Sequence, residues 1–194
     1  VVPKGGTSGV YSSAGAVVIN TWNHFEISVA GWIGRVFKAG VAVSSPTNVT
    51  PQSVSSGDGL IIGFDVAASV AFNYVGYLDR VRITKGVARH TSAFTADTNS
   101  FPEGNMSDSL YDKVVLNLPM TGADGGTVFT DYKGHTATVT GNAKTITATA
   151  PISLSSSARF DGAGDKISFS DSAFALGTGD CTIEFWVYPI SGGA

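Results

Sequence analysis

An antiparallel two-sheet β-sandwich is the fold class that this sequence predicts, and three observations point to it. Apolar and polar residues alternate with a period near two over many short runs, while helical spacing is almost absent. Glycine (24 residues) and clusters of Ser, Thr, Asn and Asp separate those runs, as turn chemistry requires. The chain is 43% hydrophobic and 14% charged over 194 residues, a globular composition long enough to bury a substantial core.

The first strand reads over 23–30, with Phe25, Ile27 and Val29 on one face and His24, Glu26 and Ser28 on the other. Ala30-Gly31 turns the chain into a partner strand over 33–38, and Gly40 closes a second hairpin into 41–43. Residues 44–58 form a polar loop, and strands return over 59–65 and 75–84. Residues 85–90 read as a single helical turn, and 96–108 as a linker rich in turn formers. Further strands read over 113–120, 135–140, 158–161, 166–170 and 182–189, a spacing that suits a sandwich. The chain opens at Val1-Val2-Pro3 without a methionine and stops just after a strong strand; both ends read as those of an excerpt.

A net charge of -3 with 12 thinly spread basic residues argues against a nucleic-acid partner. The densest basic stretch, Arg80, Arg82, Lys85 and Arg89, reads as an exposed strand side. Cys181 is the single cysteine, so the chain has no intrachain disulfide and no thiolate metal cluster. Stability then rests on the core, which suits a virion or bacterial surface protein better than a small disulfide-rich secreted domain. No apolar run approaches the roughly 20 residues that span a bilayer, so no membrane insertion is expected.

Several segments resemble a known family. Residues 178–189 (TGDCTIEFWVYP), 160–165 (FDGAGD), 116–122 (LNLPMTG), 21–25 (TWNHF) and 76–89 (GYLDRVRITKGVAR) together resemble laminin-G-like, or concanavalin-A-like, repeats. The resemblance spans most of the chain and implies a jelly-roll sandwich. Repeats worded this way are typical of bacteriophage tail-fibre and other virion structural proteins and of bacterial surface proteins. It therefore implies a virion-surface, extracellular or cell-surface setting. The order is unusual: a closing half (1–103) and a short linker (104–108) precede an opening half (109–194). The chain is then one permuted domain, or the end of one tandem repeat and the start of the next. The halves are complementary, so one sandwich built from both is expected, within a chain or between neighbouring copies.

Glu184, Trp186 and Tyr188 share the face opposite Ile183, Phe185 and Val187. In related lectins and glucanases, sugars lie against aromatic rings on such a face while carboxylates accept from hydroxyls. These three residues and Trp32, at a hairpin tip, are the candidate carbohydrate contacts; the competing role for Trp186 is to fill core. Trp22 reads as core. Asp124, Asp131, Asp161, Asp165, Asp171 and Asp180 fall in turns, and calcium favours such oxygen-rich loops. Related domains often hold calcium at a loop edge, so Asp161 and Asp165 are the first candidate pair, against the alternative that Asp-Gly only makes turns and no cofactor is used. Asp79, placed on the face of Val81 and Ile83, reads as a structural buried carboxylate with an Arg or backbone partner. His24, His90 and His135 lack zinc-ligand spacing.

No catalytic residues are assigned. Glycosidases need two carboxylates flanking the scissile bond, and Glu26 and Glu184 are single acids on separate strands. No Gly-x-Ser-x-Gly motif occurs either. Two readings follow: a non-catalytic adhesion or carbohydrate-binding module with a cell-surface glycan as partner, or a structural or decoration module packing against neighbouring subunits or tandem repeats.

Overall fold

A computed structural model of the chain describes residues 12–49, 59–63, 73–97, 101, 108–149 and 156–190. In chain order the strands are β1 (Asn23–Ala30), β2 (Ile33–Lys38), β3 (Val41–Ala42), β4 (Thr47–Asn48), β5 (Leu60–Ile62), β6 (Val75–Lys85), β7 (Val114–Leu118), β8 (Thr138–Thr140), β9 (Lys144–Ile146), β10 (Ser157–Asp161), β11 (Lys166–Phe169) and β12 (Cys181–Pro189). Two single 3-10 turns, Tyr111–Lys113 and Ser172–Phe174, are the only helical elements among the described residues. Residues 85–90 are not helical: β6 continues through Lys85, and the chain then runs on in open bends.

The strands form two antiparallel sheets. The large one runs β3-β2-β1-β12-β6-β10-β9, with β4 added beside β2 and β7 beside β6; the small one runs β5-β11-β8. Between them lies the main core: Leu78, Val81, Ile83, Leu116 and Phe160 from the large sheet meet Ile167 and Phe169 from the small one. Each such side chain contributes about 1.5–3 kcal/mol on burial. A smaller cluster of Ala16, Phe25 and Val36 extends the core under β1 and β2. The chain is an all-β sandwich.

Strands from the two halves of the chain alternate within the large sheet. β12 lies between β1 and β6, pairing with each along most of its length, and β7 and β10 share the far edge of β6. The β1–β2 turn is tight: Gly31 and Trp32 both take positive φ, 52° and 67°, as a two-residue type I′ hairpin demands.

One irregularity changes the meaning of a strand. Opposite β12 the register of β6 slips between Glu184 and Trp186, so that Glu184 faces Arg82 while Trp186 faces Asp79. Arg80 fills the extra position with φ 48°, a β-bulge. Strict alternation puts Asp79 with Val81 and Ile83; the bulge instead turns Asp79 to the opposite face, beside Trp186, and leaves Val81 and Ile83 in the core.

Candidate functional site

The face of the large sheet turned away from the main core carries its chemistry. Across β1, β12 and β6 its residues fall into rows: Ser28–Thr182–Thr84, Glu26–Glu184–Arg82 and His24–Trp186–Asp79. Residues 86–97 cross these rows as a strap. The Arg89 backbone N–H donates to Thr182 Oγ1 (2.8 Å), and its guanidinium donates to Thr84 Oγ1 and to both oxygens of Asp108. His90 stacks on Phe94 with ring centres 3.7 Å apart, and Phe94 meets the edge of Phe37 on β2. Phe101 closes over the Arg82 guanidinium at 4.0 Å. The stretch read as a linker thus contributes two buried side chains, Phe101 and Asp108, to this cover; residues 98–100 and 102–107 lie outside the described ones.

Beneath the strap the charges are paired. Arg82 donates to Glu184 through Nε (3.1 Å) and Nη2, and to Asp108 through Nη1 (3.3 Å). His24 Nε2 meets Glu184 Oε1 at 3.1 Å, and His90 Nδ1 meets Glu26 Oε2 at 2.7 Å. Burial, and secondly the neighbouring Glu184 carboxylate, push Glu26 up to about 8. Burial acts on Glu184 too, but hydrogen bonds from His24 and Arg82 outweigh it and hold its carboxyl below the ordinary value. Asp108 is likewise held low, because the Arg89 guanidinium and the Leu110 N–H overcome burial. Asp79, ion-paired with Arg80 at 3.4 Å, is raised by burial to about 7. Arg80, Arg82 and Arg89, read as an exposed basic side, are turned inward because each finds a carboxylate there.

One neutral and one ionised carboxyl side by side is the pattern that acid–base chemistry uses. Here, however, Glu26 is 0% and Glu184 2% exposed, and Arg82 grips the latter. Trp186, the first candidate sugar contact, is 9% exposed beneath the Arg80 guanidinium. Arg82 and His24 cover Glu184, and Arg80 and His24 cover Trp186, so neither stands on an open face. Tyr188 lies beyond the strap.

Past the strap the same face carries a half-exposed aromatic row. Trp22, just before β1, stands edge to face with Tyr188 on β12 (ring centres 5.6 Å), which meets Tyr77 on β6 in the same way (5.7 Å). Gly76, next to Tyr77, has no room for a Cβ, which would strike the Tyr74 hydroxyl and the Tyr188 carbonyl. Arg159 on β10 lies directly opposite Tyr77, and Lys144 on β9 opposite Arg159. Five side chains thus stand in line, four on neighbouring strands and Trp22 just ahead of β1, all of intermediate exposure. Trp22, read as core, belongs to this row instead, because it shares the parity of His24 and Glu26.

Comparison of the chain with protein-family models, with curated proteins and with solved structures returns no match. The remaining candidates have clear positions. Trp32 is 56% exposed at its hairpin tip, and Asp180 accepts from the adjoining Gly31 N–H at 2.8 Å. All six turn aspartates accept backbone N–H groups: Asp124 from Thr147, Asp131 from Asn117, Asp161 from Ala163, Asp165 from Asn142 and Asp161, Asp171 from Ala173, and Asp180 from Gly31. Asp161 and Asp165, the candidate calcium pair, hold one turn together, and Asp165 is buried in doing so. Among the described residues no three His, Cys, Asp or Glu side chains converge as metal ligands. Both carboxylate oxygens of Asp165 and one of Asp161 are taken up by backbone N–H groups. Each histidine meets a carboxylate: His24 with Glu184, His90 with Glu26, and His135 with Asp131.

Proposed function

We propose that this chain is a non-catalytic, carbohydrate-binding adhesion module of the laminin-G-like, concanavalin-A-like kind, from a phage virion or a bacterial surface protein. The observation that carries the reading is the half-exposed row Trp22–Tyr188–Tyr77, past the strap on the outer face of the large sheet. Aromatic side chains present an apolar body with a polar tip, which suits a sugar with its C–H face on the ring and its hydroxyls at the edge. The reading is non-catalytic because Glu26 and Glu184, the neighbouring carboxyls with divergent ionisation among the described residues, are buried. The resemblance of residues 76–89 and 178–189 to laminin-G-like repeats supports the surface setting. A glycan array tests the proposal. Selective binding is expected, lost in Trp22→Ala and Tyr188→Ala while their melting curves stay cooperative. Binding to no glycan, or binding indifferent to both substitutions, overturns it.

A second reading, a structural module packing against neighbouring subunits, is supported by one surface feature. Val17, Val18, Ile19 and Ile190 are all 40–50% exposed, and the hydrogen bond from Asn20 N–H to the Pro189 carbonyl brings the two segments together. Exposed apolar residues clustered in this way suit a protein partner. Concentration-dependent self-association that is abolished by Ile19→Glu supports this reading; a monomer at every concentration counts against self-packing.

A further inference from the structure

We propose that the aromatic row is the neutral half of a site for acidic saccharides, with Arg159 and Lys144 supplying the charge recognition. This rests on the carbohydrate reading above and names the class of sugar.

Three observations carry it. The two cations continue the aromatic row in strict cross-strand register: Tyr77 opposite Arg159, and Arg159 opposite Lys144. Side chains directly opposite on neighbouring strands lie about 5 Å apart at Cβ, so one short oligosaccharide reaches from ring to guanidinium to ammonium. Both cations lie on the outer face, because their strand neighbours Ala158, Phe160 and Thr145 are buried on the inner one. Finally, the arginines under the strap are committed to carboxylates, Arg80 to Asp79, Arg82 to Glu184 and Asp108, and Arg89 to Asp108, while Arg35, opposite Ser28 at the other end of the face, donates to the Ile33 carbonyl at 3.2 Å. Among the described residues, neither Arg159 nor Lys144 makes a hydrogen bond or ion pair through its side chain. Asp161, two residues along the strand from Arg159, is held low first by the Ala163 N–H, which donates to it at 2.8 Å, and only lastly by the Arg159 guanidinium.

The chemistry then selects its ligand. A guanidinium offers a planar fork that matches a carboxylate or sulfate, and an ammonium adds a mobile point charge. A neutral sugar leaves both cations unused. A uronate, sialate or sulfated residue placed beyond the ring bound at Tyr77 satisfies them, and the pairing weakens as salt rises.

The test uses the intact chain and a panel of uronate-, sialate- and sulfate-bearing oligosaccharides, each beside its carboxyl-reduced or desulfated counterpart. Wild type is expected to bind at least one acidic member roughly tenfold more tightly than its neutral counterpart, a step of one charge-assisted contact, and less so in high salt. Arg159→Gln and Lys144→Gln, both half-exposed sites, are expected to erase that difference while retaining the residual binding of the neutral sugar and an unchanged melting curve. Trp22→Ala is expected to abolish both. Equal binding of acidic and neutral counterparts, or a preference untouched by the two Gln variants, overturns this inference while leaving the carbohydrate reading in place. Binding of no sugar at all overturns both.

Discussion

Glu26 is the side chain on which the covered face turns. Its carboxyl is sealed, lies across the strand pair from Glu184, and ionises near 8 instead of 4.5. Between those two values the folded chain holds a proton that the unfolded chain has released, so stability must fall as pH rises. His90, lowered by burial, acts in the opposite sense, but only below its ordinary 6.5. Asp79 acts in the same sense as Glu26 up to about 7. Cys181, held up to about 11 by burial, adds a loss chiefly above pH 9. From pH 7 to 8 the dominant shifted group is therefore Glu26, and wild type should lose about 1 kcal/mol over that step. Glu26→Gln keeps a hydrogen-bonding side chain beside His90 and removes the titration. Its denaturant midpoint should stay level from pH 7 to 8; a fall equal to that of wild type would show that Glu26 is not the source.

At the scale of elements, the strap of residues 86–97 decides which face of the sheet is open. It has no strand pairing of its own beyond Lys85, and it is held by side-chain contacts and by the Phe94 N–H, which donates to the Gly40 carbonyl at 3.0 Å. Gly40 is the close point. It has φ 79°, and a Cβ there would run into the Phe94 carbonyl. Gly40→Ala must therefore either strain the β2–β3 turn or push the strap outward, at a cost on the order of 1–3 kcal/mol. Hydrogen exchange should report faster opening at residues 89–94 with β6 and β12 unaffected; a variant within about 0.5 kcal/mol of wild type and unchanged in exchange counts against the contact. The bulge at Arg80 works at the same scale. By adding one residue to β6 it carries Asp79 onto the charged face and preserves the core positions of Val81 and Ile83.

For the whole molecule, the decisive fact is that neither half of the chain completes the large sheet. Remove residues 109–194 and β1 loses β12, β6 loses β12, β7 and β10, and His24 and Arg82 both lose Glu184. A buried Arg82 left without Glu184 keeps only the longer contact to Asp108, and breaking such a buried pair typically costs about 3–5 kcal/mol before any packing is counted. Expressed separately, fragments 1–103 and 104–194 should show no cooperative thermal transition, and mixing them should restore one together with the β-sheet circular dichroism of the intact chain. A cooperative melt from either fragment alone would contradict this dependence. The same interleaving explains a reversal in burial. On β1 and β12 the polar residues Glu26, Ser28, Thr182 and Glu184 are more deeply covered than Ile27, Ile183 and Phe185, since the strap spans the polar face while the small sheet shields only part of the other.

Local pattern was enough to read the all-β class, the positions of β1, β2, β6, β10, β11 and β12, the hairpin that exposes Trp32, and the common face of Glu184, Trp186 and Tyr188. Each depends on alternation or on turn residues close together in the chain, which period and glycine placement record directly. Burial of Glu184 and Trp186, the inward turn of Arg80, Arg82 and Arg89, the flip of Asp79 and the line from Trp22 to Lys144 depend on something else. They arise from cross-strand register and from a strap folded over a sheet, contacts between residues as far apart as Arg82 and Glu184. A two-residue period says which side chains share a face, but not what will come to lie upon it.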